Sequence, residues 1–137
     1  MSIWKNKTTE DIKPWGSVVK ISTPFGMMGK IIYIESGKRN SLKYYKNKNQ
    51  SLYCLKGRVI VTAPMEFEFG DIICADKGSV FELNPGDVIL IQSDNPYRIK
   101  ALEDSILVEV LLGNDAESVV MLDDDYGRVN NKIQTEN

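Results

Sequence analysis

The amino-acid sequence predicts an all-β domain built as a jelly-roll barrel, and three observations lead to that prediction. Short segments rich in β-branched and aromatic residues recur about every 8 to 12 residues, a spacing typical of sandwiches and small barrels. Turn signals such as Asn84-Pro85-Gly86-Asp87 separate these segments. Between residues 17 and 121 no stretch shows sustained helical periodicity, so the body of the domain is expected to contain no helix.

Strands are predicted wherever such a segment is bounded by turn residues. Only two segments near the ends of the series, Thr8–Lys13 and Asn114–Val119, could form a short helical turn. The polar stretch Tyr44–Asn49 is expected to be a solvated hairpin with its turn at Asn47–Asn49. The predicted strands are Gly29–Glu35, Ser51–Leu55, Arg58–Ala63, Asp87–Ile91 and Ile106–Leu112.

Alternation along each strand predicts which side chains face the interior of the barrel. If Lys43 points inward, so does Tyr45, and after the expected turn Gln50, Leu52 and Cys54 face the same interior. The core residues predicted in this way are Leu52, Val59, Val61, Ile89, Ile91, Val108 and Val110.

Length and composition indicate one cytoplasmic domain. The 137 residues are expected to form a single domain over 1–128, with a short N-terminal extension and a polar, mobile tail over 129–137. The start has no apolar signal segment, and no apolar run is long enough to cross a membrane. Cys54 and Cys74 form no metal-binding motif and are expected to be small buried side chains in a reducing compartment.

Charge and histidine content exclude several classes of function. The formal net charge of −2 argues against sequence-independent binding to nucleic acid, which requires a strong positive field. The chain contains no histidine, which excludes imidazole nucleophile activation, histidine general bases and histidine-ligated metals.

Four motifs in order resemble the cupin domain of type II mannose-6-phosphate isomerases, over about Lys13 to Arg128. Each motif alone is weak, but their order across one all-β domain implies a double-stranded β-helix, the cupin fold. By this resemblance a homodimer is expected, because cupin-like barrels often pair through their sheets. The motifs are Lys13-Pro14-Trp15-Gly16, Gly29-Lys30-Ile31-Ile32, Ser36-Gly37-Lys38-Arg39-Asn40-Ser41-Leu42, and Leu122-Asp123-Asp124-Asp125-Tyr126-Gly127-Arg128.

The metal ligands of that family are replaced in this chain. The matching positions hold Lys43, Tyr45, Gln50 and Tyr97, and the third histidine of the family's first cluster falls at Asn47. Transition metals favour imidazole, thiolate or carboxylate donors, and an ammonium repels the ion. We therefore expect no metal and no other cofactor at this site.

The resemblance implies sugar-phosphate chemistry, and catalysis would require a substitute for the metal. Lys43 is a candidate for the positive centre that stabilises an enediolate, with Glu35, Tyr45 or Tyr97 moving the proton. A phenol is a weak base unless a neighbouring cation lowers its pKa. In the alternative interpretation, the two tyrosines fill the space of the lost ligands and Lys43 reaches solvent.

Binding of a sugar phosphate or a nucleotide-sugar requires fewer functional groups than catalysis, because no proton has to be moved. Lysine and arginine pair with phosphate oxygens, and aromatic faces stack on sugar rings. Lys38, Lys46 and Lys48 are expected to be solvated instead. The candidate binding residues are Lys30, Arg39, Gln50, Arg98 and Arg128.

Two hypotheses of different classes follow. The first is a metal-free cupin that binds a sugar phosphate or nucleotide-sugar, with weak or lost isomerase activity. The second is a non-enzymatic oligomerisation or interaction module whose barrel is plugged. Affinity for hexose phosphates favours the first, and a pocket filled by Tyr45 and Tyr97 favours the second.

Overall fold

A computed structural model describes residues 3–24, 26–63, 67–68, 71–72, 79–127 and 133–135 of the chain. Within these ranges every regular element is a β-strand, so the predicted all-β class is confirmed. No helix in the described ranges could span a membrane. The strands are β1 Thr9–Lys13, β2 Gly16–Ser22, β3 Met27–Ile34, β4 Leu42–Lys56, β5 Val59–Ala63, β6 Phe67–Glu68, β7 Asp71–Ile72, β8 Ser79–Leu83, β9 Val88–Ile91, β10 Arg98–Ala101, β11 Ser105–Asp123 and β12 Ile133–Thr135.

Two antiparallel sheets enclose the core. The large sheet has the strand order β1-β2-β3-β11-β4-β9, and β12 pairs with β11 beside that path. The small sheet has the order β10-β5-β8, and β6 and β7 form a separate pair. Side chains from both sheets meet in one hydrophobic cluster, with Leu52 and Leu107 from the large sheet against Val61 and Ile99 from the small sheet. This arrangement is the predicted jelly roll.

The predicted turn at Asn47–Asn49 is wrong, because β4 runs without interruption from Leu42 to Lys56. Asn47 has a φ of 59° and lies where the pairing with β11 shifts register between Gly113 and Ser118. At this shift Asn47 alone lies opposite four residues of β11, 114–117, and its left-handed backbone reverses the alternation of β4. Lys48 is consequently buried rather than solvated, at 2% exposure.

Neither of the two segments that could form a helical turn is helical. Thr9–Lys13 is strand β1, paired residue by residue with Gly16–Lys20 of β2. Asn114–Val119 lies within β11, the 19-residue strand at the centre of the large sheet. Both segments are short, so pairing with a neighbouring strand outweighs their local helical tendency.

The predicted core is confirmed on β4, β5 and β9. Leu52, Val59 and Val61 are fully buried, Ile91 is buried, and Ile89 packs against the cluster. The prediction for β11 is off by one residue. Val108 is half-buried and Val110 is 53% exposed, whereas the inward-facing residues are Leu107, Glu109 and Leu111. Placing Val108 and Val110 inward by alternation put Glu109 on the outside. The structure buries it among polar partners.

Candidate site in the barrel interior

The interior of the barrel contains a polar cluster that includes five of the eight sequence-predicted site residues. Strand β4 contributes residues on both sides of its bulge, β3 and β11 contribute one each, and the last precedes β10. All six residues are buried, with exposures of 8% or less. We call this set the interior cluster, and it consists of Lys30, Lys43, Tyr45, Gln50, Tyr97 and Glu109.

Tyr45 lies at the centre of the interior cluster. Lys30 Nζ donates a hydrogen bond of 3.1 Å to the Tyr45 hydroxyl, which donates one of 3.3 Å to Glu109 Oε1. The ammonium groups of Lys30 and Lys43 lie 5.4 and 5.6 Å from the centre of the Tyr45 ring. These distances permit a cation–π attraction from each lysine. The phenol therefore lies between two cations and one carboxylate.

Tyr97 and Gln50 form the second part of the interior cluster. The Tyr97 hydroxyl donates a 3.1 Å hydrogen bond to Gln50 Oε1, and both side chains are buried. The backbones of Lys43 and Tyr97 exchange two hydrogen bonds, of 3.1 and 2.9 Å. This bridge holds the start of β4 against the residue that precedes β10. Residues that are far apart in the sequence thus share one interior site.

Sequence reasoning missed three buried charged residues, Lys20, Lys48 and Glu109. Lys20 is 1% exposed, forms a 3.1 Å ion pair with Asp11, and lies opposite Lys30 in the β2–β3 register. Glu109 lies opposite Lys30 in the β3–β11 register. A signal for Lys20 was present, because strand alternation that buries Val18 also buries Lys20. For Lys48 the sequence contained no comparable signal, since the bulge at Asn47 determines its direction.

Arg39 and Arg98 lie in a different cluster, against the acidic segment Asp123-Asp124-Asp125, which we call the closing motif. Arg39 makes two hydrogen bonds to the carboxylate of Asp125, of 2.6 and 2.8 Å. This hydrogen-bonded guanidinium lowers the pKa of Asp125 below its ordinary value. Arg98 donates to the backbone oxygen of Asn40 and pairs with Asp123 at 3.1 Å. Both arginines therefore fasten the closing motif to the barrel.

Three other sequence expectations have different outcomes. Glu35 is exposed and pairs with Lys38 at 2.8 Å, so it does not join the interior cluster. Cys54 is a buried free thiol, as expected, and burial raises its pKa. Arg128 and Cys74 lie outside the described residues.

The residues of the interior cluster do not fit a divalent metal. Its potential donors are two phenols, an amide and a single carboxylate, and two ammonium groups lie beside them. Transition metals favour imidazole, thiolate and several carboxylates, and neighbouring positive charge opposes their binding. Among the described residues, no group of three or more histidine, cysteine, aspartate or glutamate side chains is arranged to hold a metal ion.

Comparison with known proteins gives a fold and no closer relationship. No protein-family model and no curated protein sequence matches the chain. Among solved structures it is similar to KdgF from Halomonas sp., with a TM-score of 0.57 and 18% identity over 80% of this chain and 89% of that one. It is also similar to an RmlC-like cupin from Shewanella frigidimarina, with a TM-score of 0.61 and 15% identity over 78% and 85% of the two chains.

A third similar structure is ectoine synthase from P. lautus, with a TM-score of 0.57 and 18% identity over 75% of this chain and 67% of that one. Identities this low are informative about the fold alone. Together with the paired antiparallel sheets, they define the chain as a cupin-type jelly roll. Function has to be argued from the site, since one fold supports many activities.

Proposed function

We propose that this protein is a metal-free cupin that binds a sugar phosphate or a nucleotide-sugar in its barrel interior, with weak or lost isomerase activity. The observation that carries the proposal is the approach of two buried ammonium groups, those of Lys30 and Lys43, to the ring of Tyr45. Lys20 and Lys48 are also at most 8% exposed, and Lys20 forms an ion pair with Asp11.

Buried lysines are rare because an ammonium loses its hydration when it enters the protein. An interior that brings two of them to one tyrosine ring is suited to an anion. A phosphate group brings two negative charges and several acceptor oxygens, and each ammonium offers three donors. Charge-assisted hydrogen bonds of this kind contribute about 1.5 to 3 kcal/mol each.

The resemblance to type II mannose-6-phosphate isomerases supports a hexose phosphate as the first ligand to test. At the positions that match the metal ligands of that family, this chain has Lys43, Tyr45, Gln50 and Tyr97. Lys43 thus brings a positive charge to the place where the family holds a cation. Lys30, which matches a basic position of the family, brings a second ammonium to the same tyrosine.

Catalytic turnover is expected to be negligible. Isomerisation between an aldose and a ketose moves a proton between adjacent carbons and needs a base in contact with the substrate. Tyr45 and Glu109 already share a hydrogen bond with one another, and both are at most 2% exposed. Lys30 also donates a hydrogen bond to this hydroxyl, so the Tyr45 hydroxyl is already hydrogen-bonded to two partners.

Calorimetric titration tests the binding proposal. The ligands are mannose 6-phosphate, fructose 6-phosphate and a nucleotide-sugar, and the variant is Lys43→Met, which keeps most of the side chain and removes its charge. We expect the variant to bind roughly 10- to 100-fold more weakly. The matched control is Lys46→Met, three residues along β4 and on the opposite face of the strand. Absence of binding to the wild type would refute the proposal, and equal affinity for Lys43→Met would remove Lys43 from the site.

A plugged interaction module is the second candidate, and one observation favours it. Tyr45 and Tyr97 are 2% and 1% exposed, and their hydroxyls are satisfied by Glu109 and Gln50. In this case the tyrosines close the interior permanently. The same titration then shows no binding for any ligand, and Lys43→Met changes neither affinity nor oligomeric state.

A further inference from the structure

A trough crosses the outer surface of the large sheet at the end where β3 and β4 finish and β11 begins. Its volume is about 480 Å³, within the range of about 300 to 1,000 Å³ that is typical of small-molecule sites. Tyr33 directly precedes the core residue Ile34, so its side chain points away from the core. We call this cavity the end trough. The pairing registers place part of its lining in one row across five strands, which is Ile12, Ser17, Tyr33, Ile106 and Lys56.

The middle of the end trough is apolar. Ile12 is 79% exposed, Tyr33 is 39% exposed, and Ile106 beside it in the row is half-buried. A hydrocarbon group that covers such side chains removes apolar surface from water, which is favourable, and the tyrosine ring adds an aromatic face. This part of the trough therefore suits the apolar portion of a ligand.

Two opposite charges lie at one end of the end trough, on Lys56 and Asp104. Gly57 brings the end of β4 close to the start of β11, because its φ is 86° and a Cβ at this position would lie 2.5 Å from the backbone oxygen of Asp104. A side chain at Gly57 would force the two segments apart, so this close approach requires glycine. Lys56 and Asp104 consequently contribute to the same end of the trough.

Neither of these two charges is compensated within the described part of the chain. The backbone N–H of Ser36 donates a 2.8 Å hydrogen bond to Asp104 Oδ1, which fixes the carboxylate and leaves Oδ2 without a described partner. The ammonium of Lys56 likewise forms no ion pair with a described residue. Glu35 also lines the trough, but it already pairs with Lys38 at 2.8 Å. This end therefore presents one positive and one negative charge to a ligand.

We propose that the end trough binds a small zwitterion, an α-amino acid with an apolar side chain. The ammonium of the ligand pairs with Asp104, its carboxylate pairs with Lys56, and its side chain lies on Tyr33 and the neighbouring isoleucines. Charge-assisted hydrogen bonds of this kind are the strong ones. A ligand with one charge would instead bring a like charge close to one of the two protein groups, which disfavours binding. An uncharged ligand would compensate neither group.

Calorimetric titration of the full chain with three related ligands tests the proposal. L-Phenylalanine has both charges and an aromatic side chain, whereas phenethylamine lacks the carboxylate and 3-phenylpropionate lacks the ammonium. We expect L-phenylalanine to bind at least about 10-fold more tightly than either analogue, because each analogue loses one charge-assisted contact.

Variants of the two charged residues locate the binding site. Asp104→Asn removes the charge but keeps an acceptor oxygen for Ser36, and Lys56→Met removes the ammonium. We expect each to bind L-phenylalanine about 10- to 100-fold more weakly than the wild type. The matched control is Glu103→Gln, at an exposed carboxylate that directly precedes Asp104 and does not line the trough. A second control is Lys43→Met, which alters the interior cluster and is expected to leave this affinity unchanged.

Each outcome decides the proposal. Preference of the wild type for L-phenylalanine over both analogues, weakened by Asp104→Asn and Lys56→Met and kept in both controls, supports it. No binding of L-phenylalanine at about 10 mM, equal affinity for either analogue, or affinity that falls only in Lys43→Met overturns it. Circular dichroism checks that the variants are folded, and Lys56→Gln replaces Lys56→Met if that variant is not. Because the end trough shares no residue with the interior cluster, failure of the titrations with sugar phosphates leaves this proposal unaffected.

Discussion

Glu109 is the buried carboxylate of the interior cluster, and its replacement by glutamine tests whether that cluster depends on charge compensation. The side chain is 1% exposed, and it accepts a hydrogen bond from Tyr45, which accepts one from Lys30. Glutamine keeps the size of the side chain and an acceptor oxygen for Tyr45. The substitution removes only the negative charge, while the ammonium of Lys30 stays in the interior.

The structure sets the expected magnitude. Loss of one neutral hydrogen bond would cost about 1 kcal/mol, but that bond is retained in Glu109→Gln. Removal of one partner from a buried pair of opposite charges typically costs 3 to 5 kcal/mol, because the other charge stays buried. We therefore expect the free energy of unfolding to fall by about 3 kcal/mol. At a urea dependence of about 1 to 3 kcal/mol per molar, the unfolding midpoint moves down by roughly 1 to 3 M.

The assay is urea unfolding monitored by circular dichroism for the wild type, Glu109→Gln, Lys30→Met and the double variant. If the two charges compensate one another, the double variant is more stable than the sum of the single effects predicts, by at least about 1 kcal/mol. A loss below about 1 kcal/mol for Glu109→Gln, or strict additivity of the two substitutions, would refute this reasoning.

Three further predictions follow from the same structure. Leu107→Ala costs about 2 to 4 kcal/mol of unfolding free energy and Val110→Ala at most about 1, and the reverse order in urea unfolding would show that the β11 register is wrong. Because Arg39 lowers the pKa of Asp125, the pair stabilises the fold fully above the ordinary value of 3.8 and progressively less as pH falls below it. Thermal unfolding between about pH 5 and pH 3 checks this, and Asp125→Asn, which lacks the pair, loses less stability over that range. Elemental analysis of the protein as purified, without an affinity tag, is expected to find no stoichiometric zinc, manganese, iron or nickel, and one tightly held ion per chain would contradict the assignment of the interior cluster.

Local patterns in the sequence were sufficient for the fold class and much of the core. Residues such as Val59 and Val61 lie on a short strand that is bounded by turn signals and alternates regularly, so period and burial agree. On β4 the alternation of buried and exposed residues changes at Asn47, and the composition of the segment does not reveal this change. The positive φ of Asn47 belongs to a bulge inside a long strand, whereas asparagine between lysines is equally typical of a turn.

The candidate site was predicted in part, and the errors concern charged side chains. Lys43, Tyr45, Gln50 and Tyr97 do meet in the interior, as strand alternation and the resemblance implied. Placing Val108 and Val110 inward put Glu109 on the outside, and its link to Lys30 through Tyr45 depends on a pairing between distant strands. Such pairings are tertiary information that a single sequence does not supply.

The interaction of Arg98 with the closing motif could have been anticipated from alternation. Arg98 directly follows Tyr97, so a strand that turns Tyr97 into the interior turns the next side chain away from it. The structure shows this arrangement, with Arg98 paired to Asp123. The role of Arg98 as a candidate binding residue stays a prediction.

A crystal structure of the protein soaked with mannose 6-phosphate tests the central claim most directly, because it shows both the place and the partners of the anion. The proposal predicts a phosphate group in the barrel interior, within hydrogen-bond distance of the Nζ atoms of Lys43 and Lys30, with the Tyr45 ring moved to admit it. An interior that keeps the hydrogen bonds of Tyr45 and Tyr97 unchanged, with no ligand beside either lysine at saturating concentration, would contradict the proposal and favour the plugged barrel.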